Sequence, residues 1–271
     1  MRYITIFAVA VIFAGGCQKT YLPVEPKKAK LSDAESREVL RAERLGDKLY
    51  IQDEVAAKTS RMLIEVVGPI KPGELSGWIV VKDGVKTLTR FIKQTGEDIN
   101  VVYDVWLDIK GGGEARKDNL RPLTKTELAM FRARQTAMKA APKECARAYN
   151  TAVMEDIGSN DWLVYILAAT DKEVIVVGGH SRVKVSPDGS NVLSVTPLYQ
   201  SCLFIPIPTD TKQPISVNYT VSDIPSEIFV FLNRLHGIGF RVTTARGIWM
   251  VDNGKISLIR PAETNPGEIK K

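Results

Sequence analysis

Apolar positions recur along the chain with two periods, and the switches between them divide it. Val39, Leu40, Ala42, Leu45, Leu49, Ala56, Leu63 and Val66 recur at helical intervals, the spacing of a helix with one buried face. Ser32-x-x-Glu35 ahead of them has capping-box spacing, and Gly68-Pro69 closes the run. Gly46, inside it, weakens a helix by about 1 kcal/mol relative to Ala. The period then shortens to two. Trp78–Val81 and Thr87–Ile92 flank Asp83-Gly84, a strong hairpin signal. From Asp98 to Ile109 the chain alternates, with Ile99, Val101, Tyr103, Val105, Leu107 and Ile109 on one face. This predicts a half-buried antiparallel strand. The glycines at 111–113 and the polar run to Arg121-Pro122 read as a flexible boundary.

A second unit repeats the plan. Thr124-x-x-Glu127 offers another capping box, and Leu128 to Ala141 predicts a helix stopped by Pro142. Strands follow at Ala146–Met154, Trp162–Ala168, Glu173–Ser186 and Val192–Ile205. A third stretch reads as strand throughout: Ile215–Val221, Ile228–Leu232, Phe240–Thr243, Ile248–Val251 and Lys255–Ile259. The expected fold class is therefore α+β, with two helix-then-antiparallel-meander units at residues 32–113 and 114–259. The second unit resembles cystatin-like and PepSY-like folds in its order of elements, and further antiparallel strands extend it. Residues 260–271, with two prolines and few apolar groups, read as a flexible tail.

The amino terminus carries a different signal. Ile4 to Ala14 is apolar apart from Thr5 and follows a single Arg2. Crossing a bilayer takes about 20 apolar residues, more than this run contains. Residues 1–16 have the layout of a secretory signal peptide, and Ala14-Gly15-Gly16-Cys17 resembles the lipobox of bacterial lipoproteins. The resemblance departs at Ala14, where that family usually carries Leu. It implies that Cys17 is acylated and becomes the new amino terminus. The protein would then be anchored in the cell envelope and face the periplasm, and Gln18 rather than Asp points to the outer membrane. A plain secreted protein cut elsewhere is the alternative. Residues 17–31 then form a tether. Its Lys27, Lys28 and Lys30 either touch anionic lipid or are simply solvated.

Composition narrows the chemistry. With 2 His and 3 Cys, the chain has no cluster for a structural zinc site, which takes four such ligands. The formal charge of +6 suggests nucleic acid, but its distribution argues otherwise. Residues 1–30 hold five basic and one acidic group, a net +4, and residues 31–259 hold 29 basic and 28 acidic, a net +1. An exported chain meets an oxidising compartment, so Cys145 and Cys202 are expected to pair, adding about 4 kcal/mol in the chain-entropy account. A catalytic thiol is the alternative.

Gly178-Gly179-His180-Ser181-Arg182 is the most unusual string. In a continuous strand His180, Arg182 and Lys184 share one face and could bind a carboxylate or phosphate. A glycine bulge beside a solvated polar face accounts for the same residues. Asp104 and Asp108, four residues apart on a strand, would be about 13 Å apart, beyond the roughly 5–9.5 Å of a glycosidase pair. Glu155, Asp156, Asn160 and Asp161 read as turn residues without a calcium-loop spacing. His236 reads as a loop residue. No nucleotide, metalloprotease or nucleophile-elbow motif is present, and no cofactor is implied.

Residues 162 to 258 resemble a family of proteobacterial envelope proteins without an assigned activity. The shared cues are Trp162-Leu163-Val164-Tyr165, Val177-Gly178-Gly179-His180, Ser201-Cys202-Leu203 and the Asn253-Gly254 hairpin. The expected function is a non-catalytic envelope lipoprotein that binds a protein or glycan partner through an exposed sheet face. An envelope hydrolase with a site near His180 and Arg182 is the competing reading.

Overall fold

The computed structural model describes residues 30–108, 110–156, 158–169 and 173–262. The expected signal peptide, Cys17 and the expected tether up to residue 29 lie outside the described residues, as does the expected tail from residue 263. Among the described residues no helix is long and apolar enough to cross a membrane.

The fold is α+β. Helix α1 (Asp33–Val67) starts at the expected capping box: Ser32 Oγ accepts from the Glu35 N–H, and the Glu35 carboxylate accepts from the Ser32 N–H. Its buried stripe is Val39, Ala42, Leu45, Leu49, Val55 and Leu63. Leu40 and Val66, expected on that stripe, are exposed.

Strands β1 (Gly77–Asp83), β2 (Lys86–Thr95), β3 (Asp98–Leu107) and β4 (Gly113–Pro122) form an antiparallel sheet in that order. The boundary expected after residue 110 is therefore corrected to a fourth strand. β4 has no apolar alternation because it is an edge strand: its main chain pairs with β3, and charged side chains suit an edge.

Helix α2 (Lys125–Ala140), capped by Thr124 and Glu127, is followed by a second antiparallel sheet. It is built from β5 (Tyr149–Glu155), β6 (Trp162–Ala168), β8 (Ser181–Val185) and β9 (Val192–Pro197), in the order β5-β6-β8-β9. This is the helix-then-meander layout expected of the second unit. All seven residues of β6 are buried because both faces are covered. Trp162, Val164 and Ile166 pack with Phe131 and Ala137 of α2, whereas Leu163, Tyr165 and Leu167 belong to the main core on the other side.

Two long strands expected here are each broken. Between β6 and β8, β7 (Val174–Val176) pairs instead with β10 (Phe204–Pro206). The chain bends between β7 and β8 at Gly178-Gly179. Between β9 and β10, Leu198 and Tyr199 turn into the core.

The last unit corrects the expectation of strands throughout. β11 (Ile215–Asn218), β12 (Phe240–Thr244), β13 (Gly247–Asp252) and β14 (Lys255–Pro261) form a sheet, but Glu227–His236 is helix α3. β11 runs parallel to β12, and parallel neighbours need a crossover connection, which α3 supplies. Ile228-Phe229-Val230-Phe231-Leu232 is apolar without a period because this helix is buried on nearly every side. Gly237, at φ 66°, ends it in the left-handed conformation. β14 reaches Pro261, so the first residues of the expected tail are strand.

α1 joins these layers. Its amino-terminal half packs with α3 and the third sheet, and Leu63 near its far end packs with Phe91 and Val105 of the first sheet. Gly46 is the point where α1 crosses α3: a Cβ there would lie 2.5 Å from Val230 Cβ and 2.7 Å from the Glu227 carbonyl oxygen.

Candidate functional site

The glycine string folds as a bend rather than a continuous strand. Gly179, at φ +81°, places its Cα against Cys145, and Gly178 lies against the Ser201–Cys202 main chain. Side chains at either position would collide with what they face. Cys145 and Cys202 are bridged, with Cα atoms 5.4 Å apart and a sequence separation of 57. The Tyr149 hydroxyl accepts from the N–H groups of Cys145 and Ala146 at 2.9 and 3.1 Å. The bridge thus fastens the loop before β5 to the outer strands of the second sheet.

The bend redirects the two residues singled out from the sequence. His180 is 2% exposed and precedes β8. Its Nδ1 accepts from the Ala168 N–H at 3.1 Å, and its Nε2 donates to the Val176 carbonyl at 2.8 Å. Burial pushes its pKa down from 6.5 to about 4, so the ring is neutral near pH 7. Both nitrogens are engaged with main chain, and neither meets a carboxylate or hydroxyl.

Arg182 does bind a carboxylate, but an internal one. Glu227, in the first turn of α3, accepts from Arg182 at 2.5 Å and from the Tyr165 hydroxyl at 2.8 Å. Burial and the Glu227 charge push the Tyr165 pKa well up. The solvated His180–Arg182 face expected from alternation is therefore corrected. The bend at Gly178-Gly179 turns His180 into the interior, and Glu227 occupies Arg182.

The acidic candidates are engaged in the same way. Lys184 bridges Asp156 and Asp161 at 3.1 and 3.0 Å. Asp104 pairs with Arg90 at 3.3 Å, and Asp108 accepts from the Lys110 and Gly112 N–H groups of its own turn.

What the sequence reading missed is a cavity of about 180 Å³ between α1, the second sheet and α3. Asp53, Asn150, His180 and His236 line it, with apolar walls that include Leu167 and Phe231. Both histidines of the chain stand on its walls, 56 residues apart in sequence but adjacent in space because α3 folds back over β6. His236 Nε2 is buried without a hydrogen-bond partner among the described residues. Burial lowers the His236 pKa and raises that of Asp53. At about 30 Å³ per molecule, the space suits a few waters rather than a drug-sized ligand.

The outer rim of the second sheet has the opposite character. β9 pairs with β8 at the edge of the second sheet and β10 pairs with β7 in a separate two-stranded sheet, so each has no strand on its free side among the described residues, and Leu198 and Tyr199 turn into the core between them. Val192, Leu193, Val195, Phe204 and Ile207 are exposed there, Leu193 by 52% and Phe204 by 50%.

No family model and no curated protein matches this sequence. Among solved structures, the chain is similar to the C-terminal domain of YpeB from Bacillus megaterium. The match covers 65% of this chain and 69% of that one, at 10% identity and a TM-score of 0.17.

Proposed function

We propose that the chain is a non-catalytic cell-envelope lipoprotein, anchored through Cys17, whose body binds an extended segment of another envelope protein along the β9–β10 edge. The observation that carries the binding role is that edge. Neither β9 nor β10 has a strand on its free side among the described residues, and exposed Val192, Leu193, Val195 and Phe204 supply apolar contacts there. Edge strands that are not meant to pair are blunted by charge or proline; Val192–Val195 carries neither, and the prolines stand at the strand ends, Pro197 in β9 and Pro206 in β10. Strand addition draws affinity from the main chain and specificity from alternate side chains. The hydrolase reading finds no support at His180, whose two ring nitrogens are both held by main chain, or at Arg182, which is paired with Glu227.

A photo-crosslinking residue at Leu193 is expected to give a discrete protein adduct in native envelope, and the same residue at Val85, exposed on the first sheet, is not. Equal labelling from both positions, or none from Leu193, would count against the edge. Mass spectrometry of the mature protein tests the anchor separately, with an acylated Cys17 expected and an intact Met1 overturning it.

A further inference from the structure

Most charges on the first half of α1 are sorted by face, with exposed Asp33 and Glu38 outside both groups. Glu35, Glu43 and Asp47 are held by the third unit, through Arg246 at 2.6 Å, Lys255 at 2.9 Å and Arg234 at 2.8 Å. The basic residues lie elsewhere. At about 100° per residue, Arg37, Arg41, Arg44 and Lys48 fall within an arc of roughly 60°, with no acidic residue inside it. All four are exposed. Among the described residues only Arg41 approaches a carboxylate, Asp156 at 3.7 Å. Leu40 and Ile51, 46% and 55% exposed, border the arc. The stripe ends where the second sheet covers the helix: Gln52 donates to the Val153 carbonyl and Val55 is buried.

This is not the pattern of a merely solvated helix. Further along α1, Glu54 and Lys58 form the usual alternating pair at 2.9 Å. The stripe instead places cation beside cation at i,i+4, as in Arg37–Arg41 and Arg44–Lys48, which opposes helix formation. We propose that this face of α1 lies against an anionic phospholipid surface, with the basic side chains on head groups and Leu40 and Ile51 at the edge of the acyl region. The proposal rests on the anchored reading above, since a lipid on Cys17, 20 residues before Arg37, is what brings this face to a bilayer. Fifteen residues separate Cys17 from Asp33, and an extended chain of that length reaches roughly 50 Å. Lipid is favoured over nucleic acid because aliphatic groups flank the cations and residues 31–259 carry a net charge of only +1.

The mature chain from residue 17 onward with Cys17→Ser, which lacks the apolar run at residues 4–14 and cannot be acylated, is sedimented with vesicles of phosphatidylcholine, alone or partly replaced by phosphatidylglycerol. Binding that depends on phosphatidylglycerol and is released by salt is expected. Each basic residue near such a surface contributes about five-fold in partition, so Arg37→Gln/Arg44→Gln/Lys48→Gln should lower that component by about 100-fold. None of these three is in an ion pair among the described residues, and the melting temperature should not move. Equal sedimentation on both vesicle types, or unchanged partition of the triple variant, overturns the proposal. The mass of native Cys17 separates the two readings: an unacylated Cys17 overturns the anchor, and an acylated Cys17 without charge-dependent sedimentation overturns the stripe alone.

Discussion

Replacing Gly46 by alanine sets two effects of known sign against each other. In the interior of a helix alanine is favoured over glycine by about 1 kcal/mol, so α1 taken alone predicts a stabilised variant. The α1–α3 crossing predicts the reverse. The new Cβ would sit 2.5 Å from Val230 Cβ and 2.7 Å from the Glu227 carbonyl oxygen, well inside van der Waals contact. A rotamer change at Val230 moves neither atom, because one is its Cβ and the other is main chain. The helices must separate, and overpacking of this kind costs about 1–3 kcal/mol before the loosening of Leu45, Leu49 and Phe229 around it. A net loss of about 1–2 kcal/mol is expected, read as a lower urea midpoint at unchanged slope. Val230→Ala alone costs a cavity; in combination it leaves the Cβ and carbonyl contacts but removes Val230 Cγ1, which would lie 2.7 Å from the new methyl group. The double variant should therefore be more stable than the sum of the singles by about 1 kcal/mol. A Gly46→Ala protein that is more stable than the parent would refute the tight crossing. Strict additivity in the double variant would refute the assignment to Val230.

Glu227→Gln should cost about 3 kcal/mol in urea unfolding, because it leaves Arg182 without its buried counter-charge; a loss below about 0.5 kcal/mol would be that of a surface site. Removing both cysteines as Cys145→Ser/Cys202→Ser should cost about 4 kcal/mol for a loop of 57 residues, and reducing the parent protein should reproduce most of the loss. Burial lowers the native His180 pKa from 6.5 to about 4, so the unfolded chain binds more protons than the native one between those values. The stability His180 contributes is complete above about pH 6.5 and is lost as pH falls towards 4, by about 3 kcal/mol. His180→Gln should flatten that part of the profile, and an unchanged slope would show that other groups set it. Thr124→Ala should cost about 1 kcal/mol through loss of the α2 cap, and a neutral result would mean that the hydrogen bond to Glu127 N–H adds nothing.

Elements specified by neighbouring residues were legible in the sequence, and those specified by distant ones were not. Both capping boxes formed as their spacing implied, since every atom involved lies within four residues. The cysteine pairing was legible for a different reason: acylation of Cys17 would leave only two thiols. α3 was misread because a continuous apolar run has no period, and only the parallel register of β11 and β12 decides between strand and helix. The signals at its ends, Ser226 before the run and Gly237 after it, were available and would have favoured the helix. β4 was missed because an edge strand draws its stability from main-chain pairing. Gly46 reads in sequence as a flaw in a helix, and in three dimensions it is the crossing point. Arg182 was singled out for the carboxylate or phosphate of a ligand, and the carboxylate it meets is Glu227, 45 residues away on an element the alternation did not reveal. The cavity shared by His180 and His236 needed α3 and β6 in place before it existed at all.

α1 also determines how the body would respond to tension. Its 35 residues make a rod about 52 Å long, gripped by the third unit near its start and by the first sheet near its end. With the proposed anchor at Cys17, a pull directed along the rod's axis would enter at Ser32. The ion pairs at Glu35, Glu43 and Asp47 and the Gly46 crossing are then loaded together in shear rather than peeled in sequence. A domain hung from its amino terminus in this way turns and translates as one rigid piece. The β9–β10 edge would follow every displacement of the anchor.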